Sequence, residues 1–227
     1  VDYRSKPYPI LIWLHGGGWS IGDKSDWLSR VVSHQAAALG FVVFNINYRL
    51  NTKEHPAPFP AASNDARAFT RYLMEHLSLA NATSTTAISI GGHSAGGQLA
   101  LFEATDPNSK IQYRCVIDMA GVTDLTAEDL PEVLIPYVKA LAPTPSDQFQ
   151  ASPVTRVDHW HADRALFLHA RDDAAVPMRQ STAMASLLSA LPKPPKVSTR
   201  YIEQGGHDLS PMIIEDALAD FLPENCQ

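Results

Sequence analysis

Ile88-Ser89-Ile90-Gly91-Gly92-His93-Ser94-Ala95-Gly96-Gly97-Gln98-Leu99-Ala100 is the stretch that decides the fold. Ala87 to Ile90 is a short apolar run of the kind that forms a strand buried on both faces, and Gln98 to Ala104 is compatible with a helix. Between them Gly92-His93-Ser94-Ala95-Gly96 matches G-x-S-x-G. A serine at so sharp a strand-to-helix turn is held in strained dihedrals with its hydroxyl pushed clear of the backbone. Glycines two residues to either side let strand and helix approach closely. The helix starts just behind the serine, so its free N–H groups and positive end face any oxyanion formed there. A lone serine in a turn is usually structural, so the weight of Ser94 rests on the partners that other strand ends supply.

Working outward, Pro9 to His15 is a nearly continuous apolar run that enters Gly16-Gly17-Gly18-Trp19. Such a run marks a strand covered on both faces. Ser25 or Asp26 can cap a helix over Trp27 to Leu39, and Gly40 stops it. Phe41 to Tyr48 is a second strand. A helix then carries Ala66, Phe69, Tyr72, Leu73 and Leu77 at helical spacing, and a polar linker, Asn81 to Thr85, leads to the serine strand. Downstream, the spacing predicts strands at Cys115 to Gly121, Ala165 to Ala170 and Ser198 to Glu203, with helices at Thr182 to Leu191 and Met212 to Leu222. Alternating strands and helices mean one α/β domain over 1–227, a mainly parallel sheet flanked by helices on both faces. Val122 to Asp163 has no clear strand and is weakly helical over Leu130 to Leu141. It reads as an excursion above the sheet, a small lid or pocket wall.

The 227 residues are 45% hydrophobic and 19% charged, with a formal net charge of −6. No basic run offsets that charge, which argues against a nucleic-acid partner. The apolar runs are too short for a transmembrane helix. The chain opens with Val1-Asp2-Tyr3-Arg4, neither a signal peptide nor an initiator Met, as a trimmed or mature form would. The compartment is undecided, with the cytoplasm slightly favoured. Of the two cysteines, Cys115 sits in an apolar run and reads as a buried small hydrophobe. Cys226 is next to the C-terminus, and pairing of the two is the alternative. Asn81-Ala82-Thr83 is a sequon of the kind that arises by chance.

In a parallel α/β sheet, ligands bind beyond the carboxyl ends of the strands. Polar residues follow four such ends here: His15-Gly16-Gly17-Gly18, Ser94, the pair Asp172 and Asp173, and Gly205-Gly206-His207. Ser94 is a weak nucleophile that needs a base, and His207 can take its proton and return it to the leaving group. An acid must hold the imidazole tautomer and stabilise the imidazolium. Serine, then aspartate, then histidine is the chain order of α/β-hydrolases. The glycines after His15, with the N–H of Ala95, can make an oxyanion hole.

His15-Gly16-Gly17-Gly18-Trp19 together with Gly92-His93-Ser94-Ala95-Gly96-Gly97 resembles the HGGG-type esterase branch of the α/β-hydrolases, the hormone-sensitive-lipase-like and acetyl-esterase group. Phe59-Pro60-Ala61-Ala62-Ser63-Asn64-Asp65-Ala66, Ala151-Ser152-Pro153 and Asp173-Ala174-Ala175-Val176-Pro177 look familial too, so the resemblance covers nearly the whole chain. It implies Ser94 as nucleophile, His207 as base, and Gly17, Gly18 and Ala95 as oxyanion donors. Asp173 is preferred to Asp172 because the family's acid stands just ahead of a Val-Pro pair, leaving Asp172 as a neighbouring loop charge. The family often carries a strand pair and a cap before the HGGG strand, and here only eight residues precede Pro9. His169-Ala170 stands where His-Gly is common.

Trp19 is the candidate substrate-binding residue at the pocket mouth, with packing beneath its loop as the alternative. His93 reads as support for the serine turn and Asp65 as a structural partner or surface charge. Leu130, Leu134, Ile135 and Tyr137 are candidate walls of an acyl pocket, with ordinary packing of a short helix as the alternative. His159-Trp160-His161 has no third ligand pattern, so no metal is expected, and no motif asks for a cofactor. The resulting expectation is a serine carboxylesterase acting on small or medium acyl esters. Kynurenine-formamidase-like amide hydrolysis, an acetyl or feruloyl polysaccharide esterase, and a catalytically dead hydrolase fold used for binding are the alternatives.

Overall fold

A computed structural model describes residues 8–80, 87–109 and 111–227. The linker Asn81 to Thr85 and the sequon within it lie outside the described residues. Among the described residues six strands form one all-parallel sheet: β1 (Ile10–Leu14), β2 (Val42–Ile46), β3 (Ile88–His93), β4 (Tyr113–Met119), β5 (Ala162–Ala170) and β6 (Lys196–Ile202), in the spatial order β2-β1-β3-β4-β5-β6. Alternation within β1 shows how the layers form. Ile10, Ile12 and Leu14 face one core and Leu11 and Trp13 the other, as a period of two demands.

The first core is closed by α2 (Ala61–Glu75), α3 (Ala95–Ala104) and α6 (Arg179–Ser189), through Ala66, Leu73, Leu99, Ala100, Met184 and Leu188. The second is closed by α1 (Trp27–Ala38) and α7 (Pro211–Asn225), through Leu28, Val32, Ala36, Leu218 and Phe221. Of the two candidate caps for α1, Asp26 does the work: its carboxylate accepts from the Ser29 N–H at 2.7 Å.

The excursion carries α4 (Ile135–Leu141) and α5 (Pro145–Ala151). The second is absent from the sequence reading, hidden in a run rich in Pro, Ser and Asp. Its start was nevertheless encoded: Thr144 and Asp147 form a reciprocal capping box with Pro145 at the first helical position. The excursion is tied to the body. Gln180 accepts from the Thr123 and Asp124 N–H groups, and Asn51 donates to the Ala140 carbonyl.

Cys115 is not free. It is disulfide-bonded to Cys226, which corrects the reading of a buried thiol. Cys115 points into the second core, over which α7 lies, and the last turn of α7 ends above β4 with the two Cα atoms 5.6 Å apart. A separation of 111 residues leaves no local signal for such a pairing.

The sheet also positions the site. From β1 the chain steps outward to β2, then returns across β1 to β3. The carboxyl ends of β1 and β3 are therefore neighbours at a reversal of strand order, where a crevice opens. Leu14 pairs with Gly92, so the loops that follow leave the sheet side by side.

Candidate active site

Ser94 stands between β3 and α3 at φ 54° and ψ −117°, and its N–H donates to the Met119 carbonyl at 2.8 Å. That left-handed backbone is costly for a residue with a side chain. The surroundings hold it there. A Cβ at Gly92 would collide with Gly96, and one at Gly96 with the Leu14 carbonyl, so strand, turn and helix are in backbone contact.

His207 Nε2 lies 2.9 Å from Ser94 Oγ, and His207 Nδ1 lies 2.8 Å from Asp173 Oδ2. A carboxylate only accepts, so Nδ1 carries the ring proton and Nε2 is left to receive the serine hydroxyl's. Asp173 Oδ1 accepts from the Ala175 and Val176 N–H groups. Burial opposes ionisation of Asp173, but hydrogen bonds from His169 and His207 outweigh it and hold the carboxyl well below the usual carboxylate range. Asp173 is thus the carboxylate that meets the His207 ring. Asp172 is more than a loop charge: its Oδ1 accepts from the Gly205 and Gly206 N–H groups at 2.8 and 2.9 Å and ties down the loop that carries His207.

His93 also acts on that loop. Its Nε2–H donates to the His207 carbonyl at 2.9 Å, with the two rings 4.8 Å apart. Burial and the neighbouring His207 push its imidazole down to about 4. The support expected for the serine turn is therefore given across the cleft.

Gly17 and Gly18 lie at φ 116° and 56°, and the Gly17 carbonyl closes a turn by accepting from the Ser20 and Ile21 N–H groups. Neither glycine's own N–H donates to a backbone carbonyl among the described residues. Ala95 is the first residue of α3, whose initial N–H groups have no partner inside the helix. Gly17, Gly18, His93, Ser94 and His207 line one cleft of about 330 Å³, with Ile21, Trp27, Val133, Leu134 and Tyr137 as its apolar wall.

Trp19 is a correction. It is 1% exposed and packs in the first core rather than lining the cleft. Its Nε1–H donates to Gln98 Oε1 at 2.9 Å, and Gln98 Nε2–H donates to the Ala151 carbonyl at 2.8 Å. Buried indole needs such an acceptor, and the bond pins the glycine loop to α3 and to the excursion. Leu134 and Tyr137 line the cleft as expected, whereas Leu130 and Ile135 do not. Asp65 holds Arg49 through both carboxylate oxygens. Among the described residues no three His, Cys, Asp or Glu side chains are gathered as metal ligands would be.

Residues 2–188 match the model of the BD-FAE family. The chain belongs to that family. This BD-FAE chain is 27% identical over 209 residues to the probable carboxylic ester hydrolase LipM of Mycobacterium tuberculosis, which covers 83% of the chain and 47% of LipM. It is 37% identical over 107 residues to the carboxylic ester hydrolase LipN of the same organism, covering 46% of the chain and 27% of LipN. The chain thus spans about half or less of the curated relatives it matches. Among solved structures, a truncated carbohydrate esterase from gut microbiota superposes with a TM-score of 0.79 at 19% identity, over 98% of this chain and 87% of that one. An acetyl ester-xyloside bifunctional hydrolase from Caldicellulosiruptor lactoaceticus gives 0.74 at 23%, over 91% and 76%. These likenesses establish the α/β-hydrolase fold.

Proposed function

We propose that this chain hydrolyses carboxylic esters of small to medium acyl groups through an acyl-enzyme on Ser94. The observation that carries this reading is the unbroken hydrogen-bonded line from Asp173 through His207 to Ser94, which opens into a cleft that Gly17 and Gly18 also line. In the first step His207 Nε2 takes the Ser94 proton as Oγ attacks the ester carbonyl. The developing oxyanion is met by the N–H groups of Gly17, Gly18 and Ala95, each such donor being worth about 2.7–4 kcal/mol. His207 then protonates the leaving alcohol. Water, deprotonated by the same ring, releases the acid. Asp173 keeps its charge and holds the ring throughout.

Ester rather than amide hydrolysis is favoured by the relatives, several of which are named carboxylic ester hydrolases or esterases. Acetyl groups on polysaccharide are a second reading, favoured by the carbohydrate esterase and the acetyl ester-xyloside hydrolase among the structural neighbours. The test is turnover of p-nitrophenyl esters of graded acyl length, of acetylated xylan and of N-formylkynurenine, with fluorophosphonate labelling of Ser94. Labelling with turnover of the short esters is the expected result. Turnover of N-formylkynurenine alone replaces ester by amide hydrolysis, and a folded chain that neither labels nor turns over is a binding protein.

A further inference from the structure

A buried polar line lies behind Asp173, and its meaning here rests on the ester-hydrolase reading. His169, in β5, is fully buried. Its Nε2 lies 2.9 Å from the Val176 carbonyl and 3.2 Å from Asp173 Oδ2. A carbonyl and an ionised carboxylate only accept, so Nε2 carries a proton. On the other side of the ring, Nδ1 lies 2.8 Å from Ser181 Oγ, in α6. Ser181 Oγ in turn lies 3.1 Å from Asp118 Oδ2, in β4. Ser181 and Asp118 are likewise fully buried. Space for the Asp118 carboxylate is built into the backbone, because a Cβ on Gly97 or Gly121 would collide with Oδ1. Burial pushes its carboxyl up to about 6.

Ser181 has one O–H to give. With no further proton on the line, it can satisfy either His169 Nδ1 or Asp118 Oδ2, and the other acceptor goes without a donor from it, which is costly in the interior. One shared proton satisfies both. Either the Asp118 carboxylic acid donates to Ser181 Oγ, which donates to Nδ1, or Nδ1–H donates to Oγ, which donates to the carboxylate. The two forms interconvert when the acid proton passes to Oγ as the hydroxyl proton passes to Nδ1; no atom is gained or lost.

We propose that His169 is a positioning residue for Asp173: its Nε2–H braces the carboxylate that orients His207, and its Nδ1 is fixed through Ser181 by a proton shared with Asp118. The groups facing this ring are Asp118 from β4, Ser181 from α6, Asp173 and the Val176 carbonyl from the loop after β5, and Tyr201, its register partner in β6. His207, and beyond it His93 and Asp208, complete the charged surroundings. Asp173 Oδ2 therefore divides its acceptance between His169 and His207. Without the His169 donor, the carboxylate holds the charged ring of His207 more tightly, and a higher pH is needed to free it as a base.

The 227-residue chain tests this as wild type and as His169→Leu, His169→Gln, Ser181→Ala and Asp118→Asn. With p-nitrophenyl acetate, His169→Leu lowers kcat about 10- to 100-fold, the factor expected for one hydrogen bond to a charged group, with little change in KM. The pH midpoint of fluorophosphonate labelling at Ser94 moves up by about half a unit or more. His169→Gln, which restores an N–H donor, recovers most of both. Nitrogen NMR of the imidazoles gives a readout independent of activity: the His169 Nδ1 resonance shifts in both Ser181→Ala and Asp118→Asn.

A lower kcat with an unmoved midpoint, or a Gln variant no better than Leu, overturns the positioning role. A His169 resonance indifferent to Asp118→Asn overturns the shared proton. If His169→Leu does not fold, the Gln variant's midpoint and the NMR arm decide. If the wild-type chain neither labels nor turns over ester, the ester-hydrolase reading falls instead, and the resonances alone decide the line.

Discussion

The two halves of the cleft are made of different material. Ser94 and the Gly17, Gly18 and Ala95 amides hang from β1 and β3, and their turns are set chiefly by backbone packed on backbone, with Gly96 against the Leu14 carbonyl and one side-chain bond, Trp19 to Gln98, behind the glycine loop. Asp173 and His207 hang from β5 and β6, and side chains hold them: Asp172 on Gly205 and Gly206, His93 on the His207 carbonyl, His169 on Asp173. A half built of backbone tolerates no added atom. A half held by side chains can be loosened one hydrogen bond at a time.

The sharpest way to break this contrast is to cut the line where the halves meet. Ser94→Ala and His207→Ala each lower kcat by roughly 10⁴-fold or more, and the double variant is scarcely worse, because the residues act as a unit. Steady-state ester hydrolysis checks this, and additive losses would contradict it. Next comes Gly96→Ala, in which a single methyl group meets the Leu14 carbonyl. We expect a loss of about 3 kcal/mol or more in denaturant unfolding, or no soluble protein.

His93, which spans the halves, gives a pH signature. Its folded value of about 4 lies below the ordinary 6.5, so the unfolded chain binds a proton that the native one refuses. Stability contributed by the neutral ring is present above about pH 6.5 and falls away as pH drops towards 4, by up to about 3 kcal/mol. His93→Gln lacks that slope, so the slope appears in the difference between the wild-type and variant stability–pH curves. The smallest effect belongs to Asp172→Ala. With the His207 loop released, kcat falls about tenfold, while KM and the melting temperature stay near wild type. A collapse in melting temperature would make Asp172 part of the frame, and the two halves would then be built alike.

The same contrast explains what could be read from residues alone. The Ser94 turn, the glycine loop and the alternation of strands and helices were legible because local backbone needs select local residue types. A G-x-S-x-G between an apolar run and a helix leaves few other conformations open. Trp19, beside its glycines, was misplaced because nothing local says which way an indole turns; Gln98, 79 residues later, decides it. His169 and Asp118 left no sign of a shared line, since their link passes through Ser181 on a third element. Asp172 reads as no more than a neighbouring loop charge because its partners are backbone N–H groups 33 and 34 residues away. The Cys115–Cys226 pairing belongs with these. Helix α5 is a different kind of miss, since its capping box was in plain view and the surrounding prolines obscured it.

The bond between Cys115 and Cys226 encloses Asp173 and His207 within its 111-residue span and leaves Ser94 and the glycine loop outside it. A protease that nicks the excursion would therefore yield two fragments that still travel as one molecule, with Asp173 and His207 remaining anchored beside Ser94. Only a reductant would part them.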